Sequence, residues 1–284
     1  MTIAVTAASG QLGRQTVRSL IALSSDESVI GLARTPAKAS DLGVDVRPGD
    51  YDAPDQLKSS LEGVDTLLLI SGIAAPQERV EQHRNVIAAA VSADVKKIVF
   101  TSIQGPEEGT EFSEIVQSNR QTEADIRSSG INWLIGRNGI YIDPDVDYIE
   151  TYRTTGMIAN SAGDGRCGYV TRSELSKAYA QLLTSSAHDN KILELNGEPI
   201  TQRQLADYLN TGFGTQLTYQ EMTPEQFKQD RIAELGEFFG PIIAGIYDGI
   251  RLGANDTEGD FETVMGRPHV SWQDYFEQFA NSPT

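Results

Sequence analysis

The residues best equipped for chemistry open the chain. An apolar, β-favouring run over residues 2–6 leads directly into Ala7-Ala8-Ser9-Gly10-Gln11-Leu12-Gly13. A strand that enters a glycine-bearing turn and then a helix aims unpaired backbone N–H groups, and the helix's positive end, at a pyrophosphate. Thr6, Ala8, Ser9, Gly10, Gln11, Leu12 and Gly13 are therefore the expected dinucleotide contacts. Ala7 stands where the first glycine of such a turn belongs. If that position needs φ > 0, alanine costs about 1 kcal/mol there. The next informative position is the end of the second strand, read at residues 29–33. An acid there would accept hydrogen bonds from a ribose and repel a 2′-phosphate. This chain has Arg34, which can fork onto a phosphate, and Lys38, which adds a point charge. The expected cofactor is NADP(H); the alternative is that both cations are solvated surface residues. Asp50 and Tyr51 follow the third strand, where they would lie by the adenine or serve as a turn aspartate and a half-buried tyrosine. Ser71, Gly72 and Ile73 follow the fourth strand and would pass beneath the nicotinamide ribose. Thr101 and Ser102 close the fifth strand and would line the floor or cap backbone.

These residues need a scaffold, and the first half of the chain has the pattern of one. Strands read at residues 29–33, 44–47, 66–70, 97–101 and 131–135 alternate with helices begun by Thr35-Pro36 and near Pro54, and over 77–92 and 114–128. Thr35 is read as a capping hydroxyl and Pro36 as a first helical residue. The run Thr66-Leu67-Leu68-Leu69-Ile70 is uninterruptedly apolar, as in a parallel sheet covered by helices on both faces. The rhythm predicts an α/β fold, a doubly wound parallel sheet with its ligand crevice at the strands' carboxyl ends. After about Asp143 it breaks into strand fragments at 157–159, 191–195 and 216–219, and helices capped at Thr201, Thr223 and Ser271. We read residues 1–150 as a dinucleotide-binding Rossmann domain. Residues 151–284 read as a smaller C-terminal α+β lobe on the substrate side, partly interleaved with the main sheet.

Composition excludes several classes. A formal net charge of −17 over 284 residues opposes general attraction to nucleic acid or anionic membranes. Cys167 is the sole cysteine, so neither an internal disulfide nor a zinc cluster is expected. The first apolar run is interrupted by Ser9, Gly10 and Gln11, unlike a signal peptide. The apolar segment 238–250 carries Pro241 and Asp248 and is too short to span a bilayer. A cytoplasmic location is the default, and a homodimer is left open. His83, His188 and His269 lack metal-ligand spacing and read as surface or helix-packing residues, so no metal is expected.

Three segments, Ala8-Ser9-Gly10-Gln11-Leu12-Gly13, Ala33-Arg34-Thr35-Pro36-Ala37-Lys38-Ala39 and Leu67-Leu68-Leu69-Ile70-Ser71, resemble the NmrA-like atypical short-chain dehydrogenases/reductases. Further segments narrow the resemblance to the bacterial NADPH:quinone oxidoreductase branch: Gln82-His83-Arg84-Asn85-Val86-Ile87, Arg137-Asn138-Gly139-Ile140-Tyr141, Ala162-Gly163-Asp164-Gly165-Arg166, Thr171-Arg172 and Gly266-Arg267-Pro268. The resemblance implies an NADPH-binding Rossmann domain and a quinone cleft beside a smaller lobe. It also implies that Arg137, Asn138, Gly139, Ile140 and Tyr141 close over the nicotinamide. Asn138 would hydrogen-bond the cofactor or a substrate carbonyl and Tyr141 would shape the pocket, the two candidate catalytic residues. Tyr169 and Arg172 would approach the site or act only as capping and salt-bridge residues.

No tyrosine has a lysine four positions later, which opposes the usual Tyr-x-x-x-Lys alcohol dehydrogenases and epimerases. Related NmrA-like enzymes often carry a Lys or His in the helix after the fifth strand, where this chain has Asn119. Hydride reduction of a small quinone tolerates both absences, since it needs positioning and a donor for the developing oxyanion. Asn138 and backbone amides near Gly139 are the expected donors, with no flavin. The competing reading is a non-catalytic NADP(H) sensor that regulates a partner protein.

Overall fold

The computed structural model describes residues 1–23 and 27–280. β1 (Thr2–Val5), α1 (Gln11–Leu23), β2 (Ser28–Ala33), β3 (Asp45–Pro48), α2 (Pro54–Ser60), β4 (Thr66–Ile70), α3 (Pro76–Ser92), β5 (Lys97–Ile103), α4 (Ser113–Arg127) and β6 (Asn132–Asn138) follow the expected alternation. The chain continues through β7 (Ile140–Tyr141), α5 (Asp143–Asp147), α6 (Ile149–Thr155), β8 (Met157–Asn160), β9 (Arg166–Cys167), β10 (Tyr169–Val170), α7 (Arg172–Thr184) and β11 (Ile192–Leu195). It ends with β12 (Ile200–Thr201), α8 (Gln202–Phe213), β13 (Thr218–Glu221), α9 (Pro224–Arg251), α10 (Phe261–Met265) and α11 (Trp272–Ala280).

The main sheet has seven strands in the order β11-β6-β5-β4-β1-β2-β3. Every pairing in it is parallel, including β1 with β4 (Val5 opposite Leu68) and β1 with β2 (Val5 opposite Gly31). Connections reverse direction between β1 and β4, so that crevice is where a sheet of this order takes a ligand. Helices cover both faces, which is why β4 is apolar on both sides. One core joins Val5, Leu68, Val99 and Leu134 to α1 and α7, and the other joins Ala4, Leu67, Leu69 and Phe100 to α2 and α3.

Two segments after residue 150 return to this body. β11 extends the sheet along β6, and α7 packs on α1, with Ser176 and Ser19 hydroxyls 2.9 Å apart. A third core, including Ile158, Tyr169, Leu205, Tyr219 and Phe276, lies in the remaining lobe. Capping hydroxyls at Thr201, Thr223 and Ser271 accept from the backbone N–H three residues on. α9 is broken at Gly236 (φ 80°, ψ 174°), and its second half packs Ile242 and Ile246 against Phe112, Ile115 and Val116.

Two sequence expectations need correction. The segment after Thr35 is a 3-10 helix, Pro36–Leu42; its first turn closes through the Thr35 carbonyl, which accepts from Lys38 N–H at 3.0 Å, and not through the hydroxyl. β5 and β6 also run further than expected, paired from Lys97–Asn132 to Ile103–Asn138. Their last rungs are polar and ended the apolar pattern early, although the pairing continues and carries Ser102 and Asn138 to the crevice.

Candidate active site

Ala7 adopts φ 47°, the left-handed conformation that alanine resists. Its carbonyl accepts from Gly10 N–H at 2.8 Å, and Gly10's carbonyl accepts from Arg14 N–H at 2.9 Å, which starts α1. Among the described residues, the N–H groups of Ser9, Gln11 and Leu12 have no acceptor. Free donors at a helix N-terminus are what a pyrophosphate needs. A Cβ on Gly13 would lie 2.4 Å from the Ala7 carbonyl oxygen, so only glycine lets α1 sit this close to the turn. The turn fits a dinucleotide.

Arg34 and Lys38 are exposed, and among the described residues neither side chain makes a hydrogen bond or an ion pair. This is informative in a chain with 40 acidic residues, where Arg14 and Arg18 both find Asp41. Asp50 forms a local turn, its carboxylate accepting from Asp52 N–H at 3.2 Å. Tyr51, expected by the adenine, instead places its hydroxyl between β1 and β4. It lies 2.6 Å from Thr6 Oγ1 and 2.8 Å from the Ile70 carbonyl oxygen, hydrogen-bonded to both. Burial raises its pKa, so it braces the crevice as a neutral phenol. Thr6, also expected at the cofactor, is buried and completes the brace by accepting from Ile70 N–H at 2.9 Å.

The loop after β4 is held from three sides. Ser71 N–H donates to Thr101 Oγ1 at 2.9 Å, and Ser71 Oγ donates to Asn119 Oδ1 at 2.9 Å. Gly72 N–H donates to His83 Nε2 at 2.9 Å, which leaves the ring proton on Nδ1 to face Thr122 Oγ1, also at 2.9 Å. His83 is therefore a helix-packing residue, its ring edge-on to Tyr51 and Phe100 and bonded to Thr122 of α4, and it is also an acceptor that fixes this loop. Burial, with a smaller push from Arg79, lowers its pKa to about 3 and keeps it neutral. Asn119, by accepting the bond from Ser71 Oγ, positions Ser71. Ile73 stands 80% exposed at the rim.

Beyond this loop, the carboxyl ends of β4, β5 and β6 open into a cavity of about 560 Å³. Ser71, Gly72, Ile73, Thr101, Ser102, Asn138, Gly139, Ile140 and Tyr141 line its sheet side. Its lobe side comes from α5, α6, β8 and both halves of α9, largely apolar and aromatic and including Tyr148, Phe227, Phe239, Ile243 and Tyr247. The structure thus gathers most of the expected nicotinamide-end residues. Arg137 is the exception. Its guanidinium grips Glu123 with two bonds of 3.0 and 2.8 Å and does not line the cavity. The same carboxylate accepts from Ser102 Oγ at 2.6 Å.

Asn138 is 4% exposed, and its Oδ1 accepts from the buried Tyr179 hydroxyl at 2.5 Å, so its amide presents N–H groups, one of them toward Tyr141. Gly139 is needed for close approach, since a Cβ there would lie 2.1 Å from the Gly168 carbonyl. Its own N–H donates to Leu195's carbonyl at 3.0 Å, so among the backbone amides near Gly139 this one is already engaged. Burial raises the pKa of Tyr141; the Arg172 charge, 4.9 Å above its ring, and a hydrogen bond from Asn138 offset this only partly. Tyr169 lies outside the cavity, its hydroxyl accepting from Gln202 at 2.8 Å, and Arg172 pairs with Asp143 at 3.7 Å.

Two charged residues of the lining carry no signal in the sequence. Arg79, in the first turn of α3, is 6% exposed; among the described residues it donates only to the Ala74 carbonyl, at 3.1 Å, and its buried Nε has no partner. Burial lowers its pKa to about 10, which still leaves it charged. Asp145, in α5, is likewise 6% exposed and, among the described residues, pairs with no cation.

A doubly wound sheet with a dinucleotide turn at its switch point and an apolar cavity beside it defines a nicotinamide-dependent enzyme, and the comparisons agree. Residues 7–186 match the NAD(P)H-binding family. The chain is 36% identical over 229 residues to quinone oxidoreductase 2 of Escherichia coli (strain K12), covering 79% of each chain. Its fold superposes on triphenylmethane reductase of Citrobacter sp. with a TM-score of 0.90 at 33% identity, covering 99% of this chain and 100% of that one. The NADPH complex of an Escherichia coli NADPH-dependent quinone oxidoreductase gives a TM-score of 0.89 at 30% identity, covering 98% and 100%. The chain belongs to the NAD(P)H-binding family, in its NmrA-like atypical short-chain dehydrogenase/reductase branch. It is an NADP(H)-dependent oxidoreductase.

Proposed function

We propose that the protein reduces small quinones, or similar electrophilic acceptors, directly with NADPH and without flavin. The observation that carries this is the cavity of about 560 Å³, walled by apolar and aromatic side chains and opening where β4, β5 and β6 end. Residues 1–150 serve as the cofactor-binding unit and 151–284 as the acceptor-side lobe, with α7 and β11 returned to the sheet. Ser9, Gly10, Gln11 and Leu12 would hold the pyrophosphate, Arg34 and Lys38 the 2′-phosphate, and Ser71, Gly72, Thr101 and Ser102 the nicotinamide end. The bound cofactor supplies the hydride.

The chain supplies positioning, dryness and charge. Phe239, Ile242 and Ile243 roof the cavity and exclude water from an acceptor held against the sheet side. Asn138, with Oδ1 occupied by Tyr179, offers N–H to an oxygen that gains negative charge. Arg79 adds a positive charge that makes no ion pair with a carboxylate among the described residues. Tyr141 remains protonated and acts only as a donor or a wall. The names of the relatives, one for quinones and one for triphenylmethane dyes, support this acceptor class.

The test is steady-state NADPH oxidation with a small benzoquinone, beside NADH and beside Arg34→Ala. NADPH should turn over, with kcat/KM falling roughly tenfold or more for NADH or for the variant through KM, since a phosphate fork is worth about 1.5–3 kcal/mol. Tight NADPH binding with no turnover on any quinone would replace this reading with a non-catalytic sensor.

A further inference from the structure

Asp145 is a carboxyl group that the fold does not account for. It is 6% exposed on the lobe side of the cavity, and Oδ1 accepts from the Tyr152 hydroxyl at 2.8 Å. Among the described residues, its carboxyl makes no other hydrogen bond and no ion pair. The groups nearest it electrostatically are Tyr152 from α6, Cys167 from β9, Tyr169 from β10 and Tyr247 from α9, and burial raises all four, so they face it uncharged. Of the neighbouring cations, Arg231 pairs with Asp230 and Glu234, both at 2.6 Å, and Arg172 with Asp143, while Arg79, which also lines the cavity, makes no ion pair with Asp145. A carboxylate in such a place is strongly disfavoured, whereas a carboxylic acid is not.

We infer that Asp145 is the proton donor of the reaction, a catalytic residue that passes its carboxyl proton to the acceptor's oxygen inside the cavity. The inference rests on the cavity being the acceptor site. Reduction by hydride adds two electrons and one proton to the acceptor and leaves an oxyanion. The O–H bond of Asp145 then breaks, an O–H bond to that oxygen forms, and the aspartate left behind regains its proton from water. Burial raises Asp145 to about 6 against the lowering effect of Tyr152, which keeps a proton available close to neutral pH. The other titratable groups at the site are unsuited: His83 is neutral down to about pH 3, and burial raises Tyr141, Tyr152 and Tyr247.

Two readouts test this on the intact protein. The first is the pH dependence of kcat/KM with a benzoquinone for the wild type, Asp145→Asn and Tyr152→Phe. The second is the infrared carbonyl band of a protonated carboxyl, followed against pH in wild type minus Asp145→Asn. The wild-type rate should fall as pH rises through about 6, with the band disappearing over the same range. Asp145→Asn should lose roughly 10²-fold in kcat at pH 6 and flatten the profile, with the Kd for NADPH within twofold. Tyr152→Phe removes a bond to the carboxylate, so both midpoints should move to higher pH. Wild-type turnover with an unchanged rate and profile in Asp145→Asn, or a carboxyl already ionised at pH 5, overturns the proton donor alone. A wild type inactive toward every quinone overturns the functional reading and the donor with it.

Discussion

The turn after β1 and the lobe-side wall of the cavity face the same crevice but are made of different material. The turn is backbone: free N–H groups at Ser9, Gln11 and Leu12, a left-handed Ala7 and a Gly13 with no room for a Cβ, all within seven residues. The wall is side chain: Asp145, Tyr152, Phe227, Phe239 and Tyr247, drawn from three helices across a hundred residues. A backbone site offers any dinucleotide the same donors and tolerates almost no substitution. A side-chain wall can change acceptor and pH response residue by residue while the fold stays intact.

The comparison breaks first if Gly13→Val is tolerated. The added Cβ would stand 2.4 Å from the Ala7 carbonyl, and neither backbone segment can yield without shifting α1 from the sheet. We expect a loss of about 3 kcal/mol or more in stability, as for overpacked cores, and NADPH affinity reduced at least ~100-fold. Urea unfolding and NADPH fluorescence titration measure both. Asp145→Asn should do the converse, altering turnover and its pH profile while leaving NADPH affinity in place.

Legibility in the sequence divides along the same line. The turn and sheet could be read because their signals are local: a strand, a glycine turn and a helix in adjacent residues, then apolar runs at regular intervals. The wall could not, because nothing near Asp145 announces that Tyr152 and Tyr247 will surround it. The apolar stretch 238–250 registers as too short for a membrane, yet its purpose in the fold is to roof the cavity and pack on α4. No helix among the described residues is long and apolar enough to cross a membrane. Arg79 and His83 lie in a helix whose periodicity is visible, but whether a helical arginine ends buried is decided by partners far away in the chain. Recognisable segments are not all chemical, either. Gly266-Arg267-Pro268 helps carry the resemblance, and the structure assigns Arg267 to a clamp on Glu174, with bonds of 2.6 and 3.0 Å.

That clamp gives the intermediate prediction. Burial opposes ionisation of Glu174, but hydrogen bonds from Arg267 and Lys177 outweigh it and bring the carboxyl down to about 2. Its folded pKa lies below its unfolded value, so the stabilisation is present above about pH 4.5 and is lost as pH falls toward 2. Arg267→Met should cost about 2–3 kcal/mol at pH 7, less than for a fully buried pair because the Arg267 side chain is 43% exposed. The difference between variant and wild type should shrink as pH is lowered through the acid range, which urea midpoints at several pH values will show. NADPH affinity should not move, since the clamp touches neither turn nor cavity. A drop in affinity would mean that the two regions are less separable than their construction suggests.

The smallest expected effect bears most directly on how the turn is built. Ala7 holds φ 47° with its carbonyl fixed by Gly10 N–H, so the strain cannot be relieved by rotating the peptide. Glycine reaches this conformation without the Cβ clash that alanine suffers, a difference of about 1 kcal/mol. The unfolded chain gains freedom from the same change, which returns a few tenths of that. Ala7→Gly should therefore stabilise the protein by roughly 0.5 kcal/mol, readable as a higher urea midpoint with an unchanged slope. Because no donor at Ser9, Gln11 or Leu12 is added or lost, NADPH affinity should change by less than about twofold, in keeping with a site made of donor positions. If affinity rises tenfold instead, alanine distorts the turn as well as straining it, and the cofactor would be drawing its binding energy partly from relaxing the backbone.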